Sequence, residues 1–341
     1  MKNTTFERIY TRLGSHRAAI AAGVFACIGI LLLARSFAGT SPTSIAVEPE
    51  TGVITEGAQL KEAADTSGGK TVIFGMLGAP GAPLQYPAQL LTLNNWKVTL
   101  PVGSPNSATE IKQPQLATFT DANYFHLNDS GSAVIFKAIA GGARTSTGTA
   151  YPRAELREMA NNGTTNAAWT CASAARSMYL EQALTHTTIH KPEATIAQIH
   201  DASNDLLMVK YFGPNYPGAT GSTDTGSLEA RLNNDSVTIV LDPAYKLGDP
   251  MTLEVTVVDG GVSIIYHNLR SGVSKVTTPV AFKGVSGGCY FKAGVYIQAC
   301  TKIDIYGQTN TTCVNKNFAT SLYETDPYAY SEVAITKLTV R

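Results

Sequence analysis

The sequence has no excess of charge of either sign and none of the common nucleotide or zinc motifs. Lysine and arginine together number 26, as do aspartate and glutamate. A balanced chain has no overall basic field, which argues against a nucleic-acid-binding protein. We find no zinc-like cysteine spacing, no P-loop and no dinucleotide-binding fingerprint. An anionic partner would therefore have to bind a local basic surface.

Long amphipathic helical patterns and internal repeats are also absent from the sequence. From about residue 91 onward, short alternating apolar and polar runs are separated by turn residues. The pair Asp259-Gly260 between two such runs predicts a tight β-hairpin. Many short strands without helices indicate a sandwich or jelly roll. The clearest predicted strands are Ala133–Ile139, Ser177–Leu184, Asp205–Tyr211, Ser236–Leu241, Thr252–Val258 and Val262–Tyr266.

The first 87 residues differ in composition from the rest of the chain. Residues 1–17 form a basic leader, and residues 18–38 begin with an apolar, uncharged run of 17 residues that Arg35 closes. This pattern predicts export, either as a signal anchor kept in the membrane or as a cleaved signal peptide. Residues 39–87 are rich in Gly, Ala, Ser, Thr and Pro and predict a flexible linker. We therefore expect residues 88–341 to be extracellular, or membrane-anchored and facing outside.

Three stretches carry dense polar rows when they are read as β-strands, because successive side chains point to opposite faces. A solvated face of an ordinary amphipathic strand would alternate in the same way. Three such rows side by side on one sheet would instead form a binding surface, and Gly294 would leave a gap where a ligand approaches the backbone. The polar rows consist of Arg153, Glu155 and Arg157, then Gln198 and His200, then Tyr290, Lys292, Tyr296 and Gln298.

These three stretches, in this order, resemble the signature blocks of the polysaccharide lyase family 7 alginate lyases. The blocks read Arg-Ala-Glu-Leu-Arg, Gln-Ile-His and Tyr-Phe-Lys-Ala-Gly-Val-Tyr-Ile-Gln. Residues 95–103 and 331–340 resemble the family's opening and closing strands, so the resemblance covers roughly residues 88–341. It implies an all-β jelly-roll sandwich with a concave substrate-binding sheet, and no metal or organic cofactor. Ala154 and Ile297 depart from the usual family residues, and we expect Ile297 to face away from the polar row.

The resemblance implies β-elimination in a 1,4-linked polyuronate, which yields 4,5-unsaturated oligosaccharides. The sugar carboxylate must be neutralised, a base must remove the C5 proton, and an acid must protonate O4. Arg153 suits the first task because a guanidinium pairs with a carboxylate through two N–H groups, and Gln198 adds an amide donor. His200 suits the base, since an imidazole can accept a proton near neutral pH. Tyr296 suits the acid and could itself act as base.

Five further residues are predicted to bind or orient the sugar, and some have structural alternatives. Arg153 could form an ion pair with Glu155 or Glu158 instead of meeting substrate. Lys292 could be a solvated lysine, and Tyr290 could belong to the core. The predicted substrate-binding residues are Glu155, Arg157, Tyr290, Lys292 and Gln298.

The stereochemistry of the two uronates separates the roles of the base and the acid. In mannuronate the C5 proton lies on the same side as O4, so Tyr296 alone could perform both transfers. In guluronate the two lie on opposite sides, so His200 would take the proton and Tyr296 would give one. Within the family, isoleucine in Gln-Ile-His accompanies activity on guluronate-containing blocks, and Ile199 therefore favours guluronate.

Of the five cysteines, Cys27 lies in the apolar N-terminal segment and the other four in the lyase-like region. An even number in an exported domain suggests two disulfides. Cys289 and Cys300 flank an extended strand and would be too far apart to pair. Among the three possible pairings we favour Cys171 with Cys289 and Cys300 with Cys313. Buried free thiols are the alternative.

Other interpretations remain open at this point. The chain could act on glucuronan or another polyuronate, or it could be a non-catalytic jelly-roll carbohydrate-binding module. The partner is an anionic polysaccharide rather than nucleic acid, with membrane contact only through an uncleaved N-terminal segment, and we expect a monomer. Glycine-rich loops at residues 140–150 and 213–226 are either lids or plain surface loops. Glycosylation sequons begin at Asn3, Asn128, Asn162, Asn234 and Asn310.

Overall fold

The chain divides into two compact units, Met1–Ala82 and Pro83–Arg341. Among the residues that the structure describes, no helix is long and apolar enough to cross a membrane. The predicted membrane segment, residues 18–38, lies outside the described residues, so the anchor or signal peptide stays a prediction. The computed structural model describes residues 58–62, 70–74, 83–214, 225–316 and 323–341.

The described part of the first unit is a pair of antiparallel strands. β1 (Ala58–Glu62) pairs with β2 (Lys70–Phe74), and Ala58 lies opposite Phe74. Both strands fall in the stretch that we interpreted as a flexible linker. At least this part of residues 39–87 therefore has regular structure, and β2 includes the consecutive apolar residues Val72, Ile73 and Phe74.

Among the described residues of the second unit, nearly all regular elements are short antiparallel strands. Its helical elements are α1 (Pro87–Leu90), a 3₁₀ helix (Gln115–Thr118) and α2 (Thr311–Lys316). Its strands are β3 (Trp96–Ser104), β4 (Ser107–Ile111), β5 (Phe125–Leu127), β6 (Val134–Ile139), β7 (Arg153–Ala160), β8 (Thr165–Asn166), β9 (Ala175–His186), β10 (Glu193–His200), β11 (Asp205–Phe212), β12 (Gly226–Leu232), β13 (Val237–Tyr245), β14 (Met251–Val258), β15 (Gly261–Asn268), β16 (Ser274–Val276), β17 (Val280–Ala281), β18 (Tyr290–Ile297) and β19 (Tyr330–Val340).

These strands form two sheets that enclose one apolar core. The first sheet has the order β13-β12-β11-β10-β18-β7-β3-β4, with β8 beside β7. The second has the order β16-β15-β14-β9-β19-β6-β5, with β17 beside β15. Most buried apolar side chains of both sheets belong to a single cluster. The all-β sandwich expected from the short alternating runs is thereby confirmed.

The predicted strands recur with boundaries that differ by a few residues. Each of the six lies within or overlaps one of β6, β9, β11, β13, β14 and β15. The predicted hairpin joins β14 to β15, and Val258 lies opposite Gly261. Asp259 and Gly260 both have positive φ, 49° and 72°. This pair of left-handed residues is what a two-residue turn between right-twisted strands requires.

The apolar row of β18 faces the core, so its polar row faces outward. Phe291, Val295 and Ile297 are fully buried, which agrees with the expectation that Ile297 points away from the polar row. The structure gives Gly294 a different role from the gap that we expected. Its φ is +121°, and a Cβ there would lie 2.7 Å from the Ala154 carbonyl oxygen. Glycine is therefore needed for the local backbone and its close approach to β7.

Two disulfides are present, and both pairings that we favoured are confirmed. Cys171 is bonded to Cys289, and Cys300 to Cys313. The first joins residues 118 positions apart and the second residues 13 positions apart.

The sequon at Asn310 is not available for a glycan in the folded domain. Its side chain is buried, and its Nδ2 donates to the Ala150 carbonyl oxygen at 3.0 Å. The asparagines of the sequons at Asn128, Asn162 and Asn234 are partly or fully exposed. Glycosylation at these sites stays a prediction.

Candidate active site

The three polar rows lie on adjacent strands in the middle of the first sheet. β18 is paired with β7 on one side and with β10 on the other. Cross-strand partners in a sheet present their side chains on the same face, so the rows form one surface, which we call the site face. The register places Tyr296 opposite Arg153, Gly294 opposite Glu155, Lys292 opposite Arg157 and Gln198, and Tyr290 opposite His200.

Glu155 lies at the centre of the site face and is almost completely buried. Its Oε2 accepts from Arg153 Nη1 at 3.0 Å and from Lys292 Nζ at 2.5 Å. Its Oε1 accepts from Gln198 Nε2. The ion pair of Arg153 with Glu155, which we considered as an alternative for the arginine, is therefore present. Gln198 and Lys292 are also buried, so these three residues form a floor beneath more exposed groups.

The charges around Glu155 are unequal, because two cations, Arg153 and Lys292, surround one carboxylate. Burial alone would raise the pKa of Glu155, but Lys292 and Arg153 outweigh it and the pKa is lowered. Burial would lower the pKa of Arg153, yet Glu155 and Tyr296 keep it above the ordinary value. Burial and the charge of Arg153 together lower the pKa of Lys292 to about 8, against the opposing effect of Glu155. Lys292 is therefore the cation that gives up its proton first.

Tyr296 lies against the guanidinium of Arg153 at one end of this cluster. The Arg153 Cζ is 3.8 Å from the centroid of the tyrosine ring. Burial raises the pKa of Tyr296 to about 12, although Arg153 acts in the opposite direction and Asp205 and Glu155 add to the rise. At neutral pH the phenol therefore keeps its proton and can donate it.

His200 is stacked on Tyr290 on the site face. The two ring centroids are 5.6 Å apart and the rings are inclined by 21°. Nδ1 of His200 hydrogen-bonds the Asp201 carbonyl oxygen. Because a carbonyl oxygen only accepts, Nδ1 donates this hydrogen bond, and Nε2 is the ring nitrogen left for other partners. This Nε2 lies 3.3 Å from Asp205 Oδ1, a carboxylate that the sequence patterns did not indicate.

Arg157 supports Tyr290 and does not contact Glu155. Its guanidinium lies 3.8 Å above the Tyr290 ring, and its Nη1 donates to the Glu158 carbonyl oxygen at 2.7 Å. Tyr290 is therefore part of the site face rather than of the core, which was our alternative for it.

Gln298 continues the polar row beyond Tyr296, directly after the last residue of β18. Its backbone N–H donates to the Glu193 carbonyl oxygen at 3.0 Å. The side chain is buried, and its Nε2 has no hydrogen-bond partner among the described residues. A role for Gln298 in binding the sugar stays a prediction.

The sequence patterns did not indicate Thr195 or the charged group around Glu193, because the strand that carries both, β10, is irregular. The register of β10 shifts between Thr195 and Ala197 against both neighbours. A bulge of this kind breaks the period of two, so Thr195 lies opposite Tyr296 although three positions separate it from Gln198. Simple alternation from Gln198 would have placed Thr195 on the opposite face.

The missed residues are two lysines and a tyrosine around a buried glutamate. Glu193 is paired with Lys210 at 2.5 Å and with Lys191 at 3.3 Å. Lys191 Nζ also donates to the Tyr151 hydroxyl at 2.8 Å. Tyr151 stands two residues before Arg153, and that proximity is the signal that could have pointed to it.

Comparison with known proteins agrees with this geometry. The family model described as alginate lyase matches residues 91–341, most of the chain.

The chain belongs to the alginate lyases.

Two solved structures and one curated relative illustrate the match. The alginate lyase from Corynebacterium sp. is 32% identical, and the alignment covers 76% of this chain and 99% of that one, with a TM-score of 0.60. The polysaccharide lyase family 7 enzyme AlgAT5 is also 32% identical, with 75% and 98% covered and a TM-score of 0.57. An alginate lyase of Klebsiella pneumoniae is 39% identical over 90 residues, 26% of this chain and 29% of that protein.

The expectations of a family 7 alginate lyase and of a jelly-roll sandwich are thereby confirmed. The two enzymes with 32% identity are matched over nearly their whole length. The curated Klebsiella relative is matched over less than a third of its own length. The catalytic and binding roles of individual residues stay predictions, which the geometry of the site face now makes specific.

Proposed function

We propose that this alginate lyase cleaves guluronate-containing blocks by β-elimination. One observation supports the proposal most strongly. Arg153, His200 and Tyr296 are all partly exposed on the site face, above the buried pair of Glu155 and Lys292. This arrangement combines a cation for the sugar carboxylate, a base and an acid on three adjacent strands.

The carboxylate is neutralised by Arg153 in this proposal. Glu155 engages Nη1 of the guanidinium, and a guanidinium has five N–H donors in all. One amide hydrogen of Gln198 is already donated to Glu155. Because Gln198 is only 1% exposed, its other amide hydrogen can reach the sugar carboxylate only if that carboxylate lies directly on the floor of the site. Donors already held in place where charge grows contribute several kcal/mol, about 3–4, to lowering a barrier.

The proton transfers are divided between His200 and Tyr296. Nε2 of His200 takes the C5 proton, and the phenol of Tyr296 gives its proton to O4 as the bond to O4 breaks. A pKa of about 12 keeps Tyr296 protonated, which suits an acid and opposes a mechanism that starts from the phenolate. The division of roles favours guluronate, where the C5 proton and O4 lie on opposite sides of the sugar.

The experiment uses the purified full-length chain with poly-guluronate, poly-mannuronate and glucuronan in separate reactions. The ultraviolet absorbance of the unsaturated product is followed, and Tyr296→Phe serves as a matched control because it keeps the ring and removes only the hydroxyl. We expect the fastest rise on poly-guluronate. A faster rise on poly-mannuronate would overturn the block preference, and a rise only on glucuronan would change the substrate.

A second outcome would favour the binding-module alternative. Binding to one polymer without any unsaturated product would mean that the acid and base do not act. The intact set of Arg153, Gln198, His200 and Tyr296 argues against that outcome, since a module without catalysis has no need of all four.

We also propose that the lyase domain acts outside the cytoplasm as a monomer. The basic leader followed by an apolar run supports export, and two disulfides suit an oxidising compartment. Cell fractionation with an antibody to the domain tests the location, and it also separates a retained anchor from a cleaved signal peptide by the mass of the product. Size-exclusion chromatography with light scattering tests the monomer.

A further inference from the structure

We propose that Tyr151 is a positioning residue for Tyr296, held in place by Lys191 and by the loop that the Cys300–Cys313 disulfide closes. The inference rests on the proposed role of Tyr296 as the acid. Tyr151 itself does not transfer a proton in this proposal. It fixes where the phenol of Tyr296 lies.

The ring of Tyr296 is held from two directions. The guanidinium of Arg153 lies 3.8 Å from its centroid. The ring of Tyr151 makes an edge contact with it, with centroids 6.2 Å apart and an interplanar angle of 62°. An acid must meet the leaving oxygen within hydrogen-bond reach, and a displacement of about 1 Å can cost on the order of 100-fold in rate. Two contacts at an angle restrict the ring more than the arginine alone would.

Tyr151 is in turn anchored by a buried ionic group. Lys191 Nζ donates to its hydroxyl at 2.8 Å and lies 4.5 Å from its ring centroid. The same Nζ is 3.3 Å from Glu193 Oε2, and Lys210 Nζ is 2.5 Å from Glu193 Oε1. All four residues are buried, so solvent screens these contacts little. Thr195, in the same strand as Glu193, lies opposite both Tyr296 and Lys210.

Tyr151 also packs in a buried cluster with a disulfide. Ala150, Tyr151, Cys300 and Cys313 form a small buried cluster separate from the main core, and Tyr296 packs against it.

Asn310 connects the disulfide loop to the backbone before Tyr151. Its Nδ2 donates to the Ala150 carbonyl oxygen at 3.0 Å, and its Oδ1 accepts from the Cys313 N–H at 3.0 Å. Arg144 Nη1 donates to the same Oδ1 at 2.6 Å. These bonds fix the chain where it enters β7, directly before Arg153.

The protonation of Tyr151 agrees with a holding role. Burial and the charge of Glu193 raise its pKa to about 12, with Lys210 acting in the opposite direction. The hydroxyl therefore stays neutral at neutral pH. The Tyr151 hydroxyl accepts a hydrogen bond from Lys191, and this bond holds the Tyr151 ring in the orientation in which its edge contacts Tyr296.

The test measures kcat and KM for Tyr151→Ala and Tyr151→Phe on poly-guluronate and poly-mannuronate. Tyr330→Ala is the matched control, because Tyr330 is also covered by a lysine, with Lys137 Nζ 3.9 Å from its ring, but lies on the second sheet. We expect Tyr151→Ala to lower kcat by about tenfold to a hundredfold on both polymers with little change in KM. Tyr151→Phe keeps the ring contact but loses the hydrogen bond from Lys191, so its kcat should lie between those of Tyr151→Ala and wild type. Tyr330→Ala should match wild type.

Lys191→Met provides a second variant if Tyr151→Ala fails to fold. It keeps the Tyr151 ring and the Lys210–Glu193 pair, and it should lower kcat less than Tyr151→Ala with KM unchanged. Wild-type kcat in folded Tyr151→Ala or Lys191→Met would overturn the inference, as would a rise in KM at constant kcat. Tyr296→Phe is measured in parallel. If it loses activity while the Tyr151 and Lys191 variants keep wild-type kcat, the positioning role of Tyr151 is wrong and the proposed acid still stands.

Discussion

Replacing Glu155 with glutamine should destabilise the domain strongly, because it removes the one carboxylate that compensates two buried cations. Glu155 accepts from Arg153 at 3.0 Å and from Lys292 at 2.5 Å, with side-chain exposures of 13%, 2% and 9% for Arg153, Glu155 and Lys292. The amide of glutamine has nearly the same shape as the carboxylate but no charge. Its NH₂ group would also compete with the donors that now point at Glu155.

The expected cost follows from the burial of this group. Removing one partner of a buried ion pair costs roughly 3–5 kcal/mol, since the other charge is left without compensation. For a domain of this size, that corresponds to a fall in Tm of about 6–20 °C. Lys292→Met should cost less, because Arg153 and Gln198 still compensate Glu155. The double variant should cost less than the sum of the two single variants by about 1–3 kcal/mol.

The assay is urea unfolding of the disulfide-intact chain, in which the midpoint reports the change in stability at constant m. Glu181→Gln is the control. Glu181 also pairs with a lysine, Lys337 at 3.4 Å, but the side chains are 36% and 55% exposed. It should cost about 0–1 kcal/mol. If Glu155→Gln costs no more than Glu181→Gln, the buried network does not hold the site as we argue.

Four other outcomes are expected. Tyr296→Phe should lower kcat by about 10²–10⁴-fold on every cleaved block, and near-normal turnover would remove the proposed acid. His200→Asn should reduce poly-guluronate cleavage more than poly-mannuronate cleavage, and equal losses in initial-rate assays would contradict the stereochemical assignment. Because the pKa of Lys292 is about 8, the lysine is charged below that pH and neutral above it. KM for the polyanion should therefore rise above about pH 8 in wild type and stay flat there in Lys292→Met. Replacing Cys171 and Cys289 with alanine should cost about 4–5 kcal/mol in urea unfolding, since the disulfide joins residues 118 positions apart, and a loss below 1 kcal/mol would contradict this.

The alternation of polar and apolar residues predicted the site face because this alternation is regular in β7 and β18. In β7 and β18 the period of two holds without a break between the paired residues, so the polar rows could be read directly from the sequence. The two rows also meet residue by residue, with Tyr296 opposite Arg153 and Lys292 opposite Arg157. Register and strand order, however, depend on which strands become neighbours, and no single stretch contains that information.

The residues that sequence reasoning missed are those whose role depends on another strand or on an irregularity. Thr195 faces Tyr296 only because β10 carries a bulge. Asp205 begins the neighbouring strand and reaches His200 through the register of β10 with β11. Gly294 allows the close approach of β18 to Ala154. Each case depends on a contact between segments distant in sequence.

The sequence by itself determined the all-β class and the three polar rows, and it supplied the candidates for the acid, base and cation, because side-chain type and period are local properties. Only the tertiary structure decided that Glu155 joins Arg153, Lys292 and Gln198 in one buried network. Only it brought Tyr151 to the edge of Tyr296. The physical reason is that burial, and with it the strength of a charge or the pKa of a phenol, arises from the packing of several strands at once.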